Sequence, residues 1–176
     1  MGQLREDIQA GLERDPATNS ALELILTSPG LHAVWTYRLT NKLWKAGFRL
    51  AARLISNWAK FWTGIEIHPA ATIGRRLVID HGLGVVIGAT SVVGDDVMMY
   101  HQVTLGANKN TPERRHPTIG NNVTLGAGAK IIGAIEIGAN SYVGANAVVT
   151  KNVGPFPPWW EPIRFATRLA VTTFRP

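Results

Sequence analysis

The sequence predicts an α+β fold in which an all-helical N-terminal segment caps a parallel β-helix. Two observations carry this prediction. Aliphatic residues recur at every sixth position over the last two-thirds of the chain, often followed by glycine, whereas residues 1–62 lack this period and carry apolar residues at helical spacing. Helices repeat every ~3.6 residues and strands alternate, so neither produces a six-residue period, which is the signature of β-helix coils.

The hexapeptide repeat keeps its phase over most of the C-terminal part. Its aliphatic positions are Ile67, Ile73, Ile79, Ile87, Val93, Met99, Leu105, Ile119, Leu125, Ile131, Ile137, Val143 and Val149. In a β-helix these side chains point into a narrow core, and glycine suits the corner, where a Cβ would crowd the backbone. Three hexads make one coil, so stacked coils are expected to bury one continuous core.

The N-terminal segment is interpreted as four helices. The first carries Leu4, Ile8 and Leu12 on one face, and the last two span Leu31 to Gly47 and Phe48 to Trp62. Asp15-Pro16 is expected to end the first helix. Thr18 or Asn19 is expected to cap the second helix, and Ser28-Pro29-Gly30 to end it. We expect these helices to cover the open end of the β-helix, where strand edges would be unpaired. The predicted domains are therefore 1–62 (helical), 63–154 (β-helix) and 155–176 (a divergent tail).

Two interruptions break the hexapeptide repeat, and each contains a histidine beside a charged residue. Two extra residues follow Ile79, where Asp80-His81 lies, and a longer insertion follows Leu105, where Arg115-His116 lies. Insertions in a solenoid leave as loops on one face, which is often the binding face. Imidazole suits proton abstraction near neutral pH when a carboxylate holds its other ring nitrogen.

Glu66 and Asp80 are the candidate carboxylates for His81. Glu66 precedes His81 by fifteen residues, and a coil takes about eighteen, so Glu66 could project near His81 from the adjoining coil. Of the other histidines, we expect His68 to be structural, whereas His101 could face either way.

The composition limits the function classes. The 176 residues include no cysteine and carry a net charge of +6. The lack of cysteine excludes disulfides and thiol chemistry. No apolar run is long enough to span a membrane and the polar N-terminus does not resemble a signal peptide, so we expect a cytoplasmic protein without membrane association. The basic residues are scattered, which favours steering of a phosphorylated ligand over nucleic-acid binding. No metal-ligand spacing is evident.

An ordered set of short motifs resembles serine O-acetyltransferase, the hexapeptide-repeat acyltransferase family that makes O-acetylserine for cysteine synthesis. The motifs cover about residues 3–153 and are Arg14-Asp15-Pro16-Ala17, Ser28-Pro29-Gly30-Leu31-His32-Ala33, Gly64-Ile65-Glu66-Ile67-His68-Pro69-Ala70, Ile79-Asp80-His81-Gly82, Val103-Thr104-Leu105-Gly106, Arg115-His116-Pro117 and Gly126-Ala127-Gly128-Ala129. Each motif is weak alone, but their order is specific.

The resemblance implies that the β-helix is left-handed and that the chain forms a homotrimer or a dimer of trimers. Active sites would lie in clefts between neighbouring β-helices. L-serine would bind at the end of a cleft, and acetyl-CoA would lie along it as a co-substrate, with no permanently bound cofactor and no metal.

The resemblance also implies roles for individual residues. Arg115 would hold the serine carboxylate, and Asp15 and Asp80 its ammonium group. His81 would take the hydroxyl proton while Glu66, which stands where many relatives have aspartate, orients the ring.

The remaining implied roles concern the thioester and the acyl donor. His116 would support the serine carboxylate or the thioester. Backbone groups at Gly106, Ala107 and Ala127 would meet the pantetheine arm. The hydroxyl would attack the thioester directly, with no acyl-enzyme.

The sequence departs from the family pattern at three places. Ala89 and Ala107 stand where relatives usually have glutamate and glycine, and Trp159-Trp160-Glu161 lies in a tail that suggests a reading-frame change near residues 153–158. The chain ends in Pro176 rather than the family's isoleucine. We therefore expect no stable complex with a cysteine synthase.

Two alternative functions remain open from the sequence. One is another hexapeptide acetyltransferase, acting on a sugar or antibiotic hydroxyl, which would have no carboxylate for Arg115 to meet. The other is a catalytically impaired family member acting as a scaffold.

Overall fold

A computed structural model describes residues 2–156 and has four helices followed by thirteen short strands. The helices are α1 (Gln3–Arg14), α2 (Ala21–Thr27), α3 (Pro29–Lys45) and α4 (Arg49–Thr63). Of the predicted tail, 155–176, residues 157–176 lie outside the described residues.

The ends of α2 and α3 differ from the prediction. Ser20, rather than Thr18 or Asn19, caps α2, and its hydroxyl accepts the Glu23 N–H at 3.1 Å. Ser28-Pro29-Gly30 does not only end α2, because Ser28 also caps α3 and Pro29 is its first residue. Proline fits this position because the first helical N–H has no intrahelical acceptor and the ring presets φ.

All thirteen strands pair in parallel and form three sheets, as in a β-helix. Sheet A contains β1 (Glu66–Ile67), β4 (Val86–Ile87), β7 (Thr104–Gly106), β10 (Lys130–Ile132) and β13 (Val148–Val149). Sheet B contains β2 (Thr72–Ile73), β5 (Val92–Val93), β8 (Thr118–Ile119) and β11 (Glu136–Ile137). Sheet C contains β3 (Val78–Ile79), β6 (Met98–Met99), β9 (Thr124–Leu125) and β12 (Tyr142–Val143).

The register of the strands locates both interruptions. An uninterrupted coil brings Thr118 beside Glu136, 18 residues on. Glu66 lies beside Val86, 20 residues on, and Val92 lies beside Thr118, 26 residues on. The loop between β3 and β4 therefore adds two residues and the loop between β7 and β8 adds eight, at the positions predicted from the repeat.

The predicted repeat positions form the core of the β-helix. Every one is buried except Ile73 and Val149, which are partly buried and pack against the same core. The helices cover the first coil, as expected. Val34 and Tyr37 of α3 join the core, and the Tyr37 hydroxyl donates to the Ala71 carbonyl at 2.7 Å.

The approach of α3 to the first coil requires a glycine. A Cβ on Gly30 would lie 2.0 Å from the Ile79 carbonyl oxygen. Any larger residue at this position would push α3 away from β3.

In residues 2–156 no helix is long and apolar enough to cross a membrane.

Candidate functional site

The predicted site residues lie along two edges of the prism. The C–A edge consists of the turns that lead from sheet C to sheet A, at residues 80–84, 100–103 and 126–129. The A–B edge consists of the turns that lead from sheet A to sheet B, at residues 68–71, 88–91 and 107–117. Sheet A is the face that separates the two edges.

His81 lies in the first inserted loop, on the C–A edge. Its side chain is 75% exposed, and its Nε2 lies 3.9 Å from Oδ1 of Asp80. The His81 backbone has a φ of +58°, which non-glycine residues adopt in few positions. The His101 ring stands edge-on to it with the centroids 6.0 Å apart, and its buried Nδ1 has no hydrogen-bond partner among the described residues. His101 therefore faces the candidate base, a point the sequence left open.

Asp15 reaches the same edge from the end of α1. Its carboxylate accepts the Ala17 N–H at 2.9 Å and the Thr18 hydroxyl at 2.6 Å. These hydrogen bonds, led by that from Thr18, lower the pKa of Asp15, and His81 lies close enough for its charge to contribute. Asp80 thus lies beside the exposed His81 imidazole, and Asp15 is near enough to be affected by the charge of His81.

Ion pairs hold α1, and with it Asp15, against the rest of the chain. The buried carboxylate of Asp7 accepts two hydrogen bonds from Arg38 of α3, at 2.9 and 2.7 Å. Arg14 donates to the Asp96 carbonyl at 2.8 Å, and Glu13 pairs with Arg76 at 3.3 Å.

His116 and Arg115 lie on the A–B edge, in the second inserted loop. Thr90, from the coil before, holds both of them. Its Oγ1 accepts the N–H groups of Arg115 and His116 at 3.0 and 3.1 Å, and it lies 2.8 Å from Nδ1 of His116. The Thr90 N–H donates to the same Nδ1 at 3.2 Å.

These contacts define the tautomer of the His116 ring. Because Thr90 Oγ1 already accepts two N–H groups, its own hydrogen is directed to Nδ1, which is therefore an acceptor. The neutral ring carries its proton on Nε2. Burial, followed by the nearby Arg115 charge, lowers the pKa of His116, so the neutral form is favoured. The Nε2–H is thus available as a donor to an anion.

Arg115 is held within the second inserted loop, and His68 lies on the same edge. The Arg115 guanidinium donates to the Thr111 carbonyl within the loop. Burial, together with the Arg53 charge, lowers the pKa of His68 to about 4. Its Nδ1 accepts the Ala70 N–H at 3.0 Å and its ring packs edge-on against Trp44 at 5.2 Å. The last two contacts agree with the structural role expected for His68.

The residues expected to meet the pantetheine arm are also divided between the edges. Gly106 ends β7 and exposed Ala107 follows it at the A–B edge, whereas Ala127 lies in a turn of the C–A edge. The carbonyls of Gly106 and Ala127 accept N–H groups of the next coil at 2.9 and 2.7 Å. Hence these two carbonyls already have partners within the chain.

Glu66 lies on the outward side of sheet A, where it pairs with Lys60 of α4. It sits beyond Gly64, whose carbonyl accepts the Gly84 N–H of the His81 loop at 2.9 Å. The Glu66 carboxylate is thus paired with Lys60 in this structure. The orientation of the His81 ring by Glu66 stays a prediction.

A single chain does not bring all predicted site residues together. The segment from Gly84 to Gly88, which contains β4, separates the two edges by four residues, or about 13 Å of extended chain. A ligand the size of serine cannot contact His81 and Arg115 of the same chain across that face. Among residues 2–156, no three histidine, aspartate or glutamate side chains converge to hold a metal ion.

Sequence reasoning missed one residue of the site, Thr90, and left the orientation of His101 open. Thr90 lies twenty-six residues before His116 and meets it only because the eight-residue insertion brings these two turns onto adjacent coils. No local motif signals such a contact.

Comparisons with known proteins identify the family. Residues 116–151 match the model for bacterial transferase hexapeptide (six repeats). The chain is 54% identical to a serine acetyltransferase of Mycobacterium tuberculosis over 86% of its own length and 66% of that protein. It is 52% identical to a serine acetyltransferase of Staphylococcus epidermidis over 85% of its length and 70% of that protein.

Solved structures agree with these relatives. Serine acetyltransferase of Brucella abortus in complex with coenzyme A superposes with a TM-score of 0.84 at 41% identity, over 86% of this chain and 61% of that one. The Neisseria gonorrhoeae enzyme in complex with serine gives 0.83 at 38% identity, over 86% and 62%. The likeness confirms the predicted fold class, a helical segment followed by a left-handed parallel β-helix.

The chain spans about two-thirds of the length of these curated relatives. Within that span, the identity, the shared fold and the ordered motifs all agree. The chain belongs to the serine acetyltransferase family.

Proposed function

We propose that this chain transfers the acetyl group of acetyl-CoA to the hydroxyl of L-serine, giving O-acetyl-L-serine and CoA. The distribution of charge between the two edges carries the proposal. The C–A edge presents two carboxylates and an exposed imidazole, and the A–B edge presents Arg115 and the Nε2–H of His116. Together these groups complement the ammonium, hydroxyl and carboxylate of one amino acid.

The proposed site is shared between chains. If sheet A faces the axis of a trimer, the C–A edge of each chain meets the A–B edge of its neighbour. A head-to-tail contact of this kind closes into a ring, so it forms three equivalent clefts. Each cleft would join Asp15, Asp80 and His81 of one chain to Arg115 and His116 of the next. A dimer of such trimers is an equally compatible assembly.

The chemistry of the cleft is a single displacement. The serine ammonium binds to Asp15 and Asp80, and its carboxylate binds to the Arg115 fork and the His116 Nε2–H. His81 accepts the hydroxyl proton as the oxygen attacks the thioester carbon. The C–O bond forms, the C–S bond breaks, and the proton passes from His81 to the CoA sulfur.

The donor and the location complete the proposal. CoA is polyanionic, and the net charge of +6 favours its approach. The turns at Ala107 and Ala127 border opposite sides of each cleft, so the pantetheine arm would run between neighbouring chains. Because acetyl-CoA is an intracellular metabolite, the proposed location is the cytoplasm.

Mixing two inactive variants tests the reaction and the shared cleft together. His81→Ala and Arg115→Ala should each have little activity with L-serine and acetyl-CoA. Equal amounts of the two variants assemble into trimers at random. A cleft is intact when the chain that supplies His81 is the Arg115→Ala variant and the neighbour that supplies Arg115 is the His81→Ala variant. About one cleft in four then regains activity.

The assay is CoA release after the two variants are unfolded and refolded together, with each variant refolded alone as the control. Activity that does not rise on mixing would refute the shared cleft. Sugar acceptors replace serine in a parallel assay, and turnover of those in preference to serine would refute the substrate.

A further inference from the structure

The His101 ring contacts the exposed ring of His81, and the proposed reaction does not yet use it. The two rings lie edge-on with their centroids 6.0 Å apart. Nδ1 of His101 is buried and has no hydrogen-bond partner among residues 2–156. A buried polar atom without a partner costs stability, so a histidine kept in this state beside the candidate base points to a use outside the fold.

Backbone hydrogen bonds stack the turn that contains His101 directly on the loop that contains His81. The Gln102 N–H donates to the Leu83 carbonyl at 2.9 Å, and in the next coil the Gly128 N–H donates to the His101 carbonyl at 2.9 Å. Adjacent coils are one strand spacing apart, about 4.8 Å. His101 therefore lies one coil from the candidate base, on the side of the C-terminal coils.

The helical cap closes the other side of the His81 loop. The Gly84 N–H donates to the Gly64 carbonyl at 2.9 Å directly after α4, and the Leu83 side chain packs against Gly64. Asp15, which follows α1, lies close enough to this loop to be affected by the charge of His81. An acyl donor that reaches His81 along the C–A edge must therefore approach from the later coils and pass His101.

The state of the ring makes His101 a hydrogen-bond donor toward that path. A neutral imidazole has one N–H and one acceptor nitrogen. A buried N–H without an acceptor is rarer in proteins than a buried acceptor without a donor, so the proton belongs on Nε2 rather than on the buried Nδ1. The ring is only partly buried, and Nε2 is its accessible nitrogen. The N–H of Nε2 is therefore free to meet a ligand.

We infer that the Nε2–H of His101 donates to the carbonyl oxygen of the acetyl thioester and stabilises the oxyanion that forms when the serine hydroxyl attacks. The inference rests on the proposed function and adds a catalytic residue to it. The reacting carbon must lie about 3–3.5 Å from the serine oxygen, and hence beside the His81 ring. A carbonyl group in that place is also beside the His101 ring.

The electrons and protons of this step balance without a proton leaving His101. His81 takes the hydroxyl proton as the C–O bond forms, and the carbonyl π pair moves onto the oxygen. The hydrogen bond from His101 offsets this charge until the C–S bond breaks and the carbonyl forms again. The two histidines therefore differ in role, since His81 accepts a proton and His101 only donates a hydrogen bond.

Two substitutions of His101 separate this role from simple support of the His81 ring. His101→Phe keeps an aromatic ring beside His81 but has no N–H, whereas His101→Gln removes the ring and keeps a side-chain N–H donor. Loss of one oxyanion donor costs about 10²–10³ in kcat, so His101→Phe should lose that factor with little change in KM for serine. His101→Gln should keep most of its kcat. The opposite order, or wild-type activity in His101→Phe, would overturn the inference.

Infrared spectroscopy of bound acetyl-CoA gives a readout that a structural role would not change. A hydrogen bond to the thioester oxygen weakens the C=O bond and lowers its stretching frequency. With acetyl-CoA isotopically labelled at the carbonyl carbon and no serine present, the frequency should be lowered in the wild type and in His101→Gln. His101→Phe should lack this lowering. The same frequency in all three proteins would also overturn the inference.

These outcomes are distinguishable from failure of the proposed function. An oxyanion forms with any hydroxyl acceptor, so the same variants are compared on a sugar acceptor if the wild type does not acetylate serine, and the expected order there would keep the inference while the substrate is refuted. If the wild type acetylates serine and His101→Phe is equally active, the inference is wrong and the proposed function stands. A wild type inactive toward every hydroxyl acceptor would overturn both. Circular dichroism checks that the variants are folded.

Discussion

Gly88→Ala should displace the His116 ring while leaving the rest of the fold in place. Gly88 lies under the His116 ring, and a Cβ added there would be 2.0 Å from Cδ2 and 2.1 Å from Nε2. Gly88 does not have a positive φ, so space is the only difficulty that alanine meets. Carbon atoms in contact lie about 3.5–4.0 Å apart, so the ring must move by roughly 1.5 Å.

A displacement of this size breaks the clamp from Thr90. The contacts of Nδ1 with the Thr90 hydroxyl and N–H, now 2.8 and 3.2 Å, would exceed hydrogen-bonding distance. Overpacking of this kind costs about 1–3 kcal/mol of stability. A misplacement of about 1 Å in a group that orients substrate can cost about 10² in rate, so kcat/KM for serine should fall by that factor.

The matched control is Gly144→Ala. Gly144 holds the same position in its hexad, but among residues 2–156 no atom would lie within 4 Å of a Cβ added there. The assay is CoA release at varied serine, with nitrogen NMR of His116 as a structural readout. Gly88→Ala should lose the Nε2–H tautomer signal and Gly144→Ala should keep it. If the two variants retain equal activity and the same signal, the assignment of His116 as a substrate-holding group is wrong.

Two further predictions concern stability. Asp7→Ala leaves Arg38 buried without its partner and should lower the free energy of unfolding by about 3–5 kcal/mol. The control, Glu13→Ala, removes an exposed ion pair and should change the free energy of unfolding by about 0–1 kcal/mol. Equal urea midpoints in the two variants would contradict this prediction. The pKa of His68 is about 4 in the folded chain, whereas its ordinary value is 6.5. Between pH 4 and pH 6.5, His68 is therefore protonated in the unfolded chain and neutral in the folded chain. The His68 contribution is fully present above pH 6.5 and is lost as the pH falls toward 4. His68→Gln should therefore flatten the decline of the urea midpoint between pH 7 and 5, and an unchanged slope would refute the assignment.

Local periodicity explains why so much of the fold could be predicted. The six-residue repeat placed the core side chains correctly because each coil repeats the same turn chemistry, and the lengths of both loops follow from counting residues between repeats. The ends of α2 and α3 were harder to predict, since Ser20, Thr18 and Asn19 are all good caps and Ser28-Pro29 can end one helix while it begins another.

The sequence by itself determined the repeat, the two loops and the residue types of a serine-binding chemistry, because these depend on neighbours in the chain. The tertiary structure decided that His81 and Arg115 lie on opposite edges of sheet A, that Thr90 clamps His116, and that the apolar face of α4 is exposed. Those facts depend on the stacking of adjacent coils, whose paired residues lie 18–26 positions apart in the sequence. An apolar helical stripe has the same pattern whether it packs on its own chain or on another, so only the packed structure shows which face is left exposed.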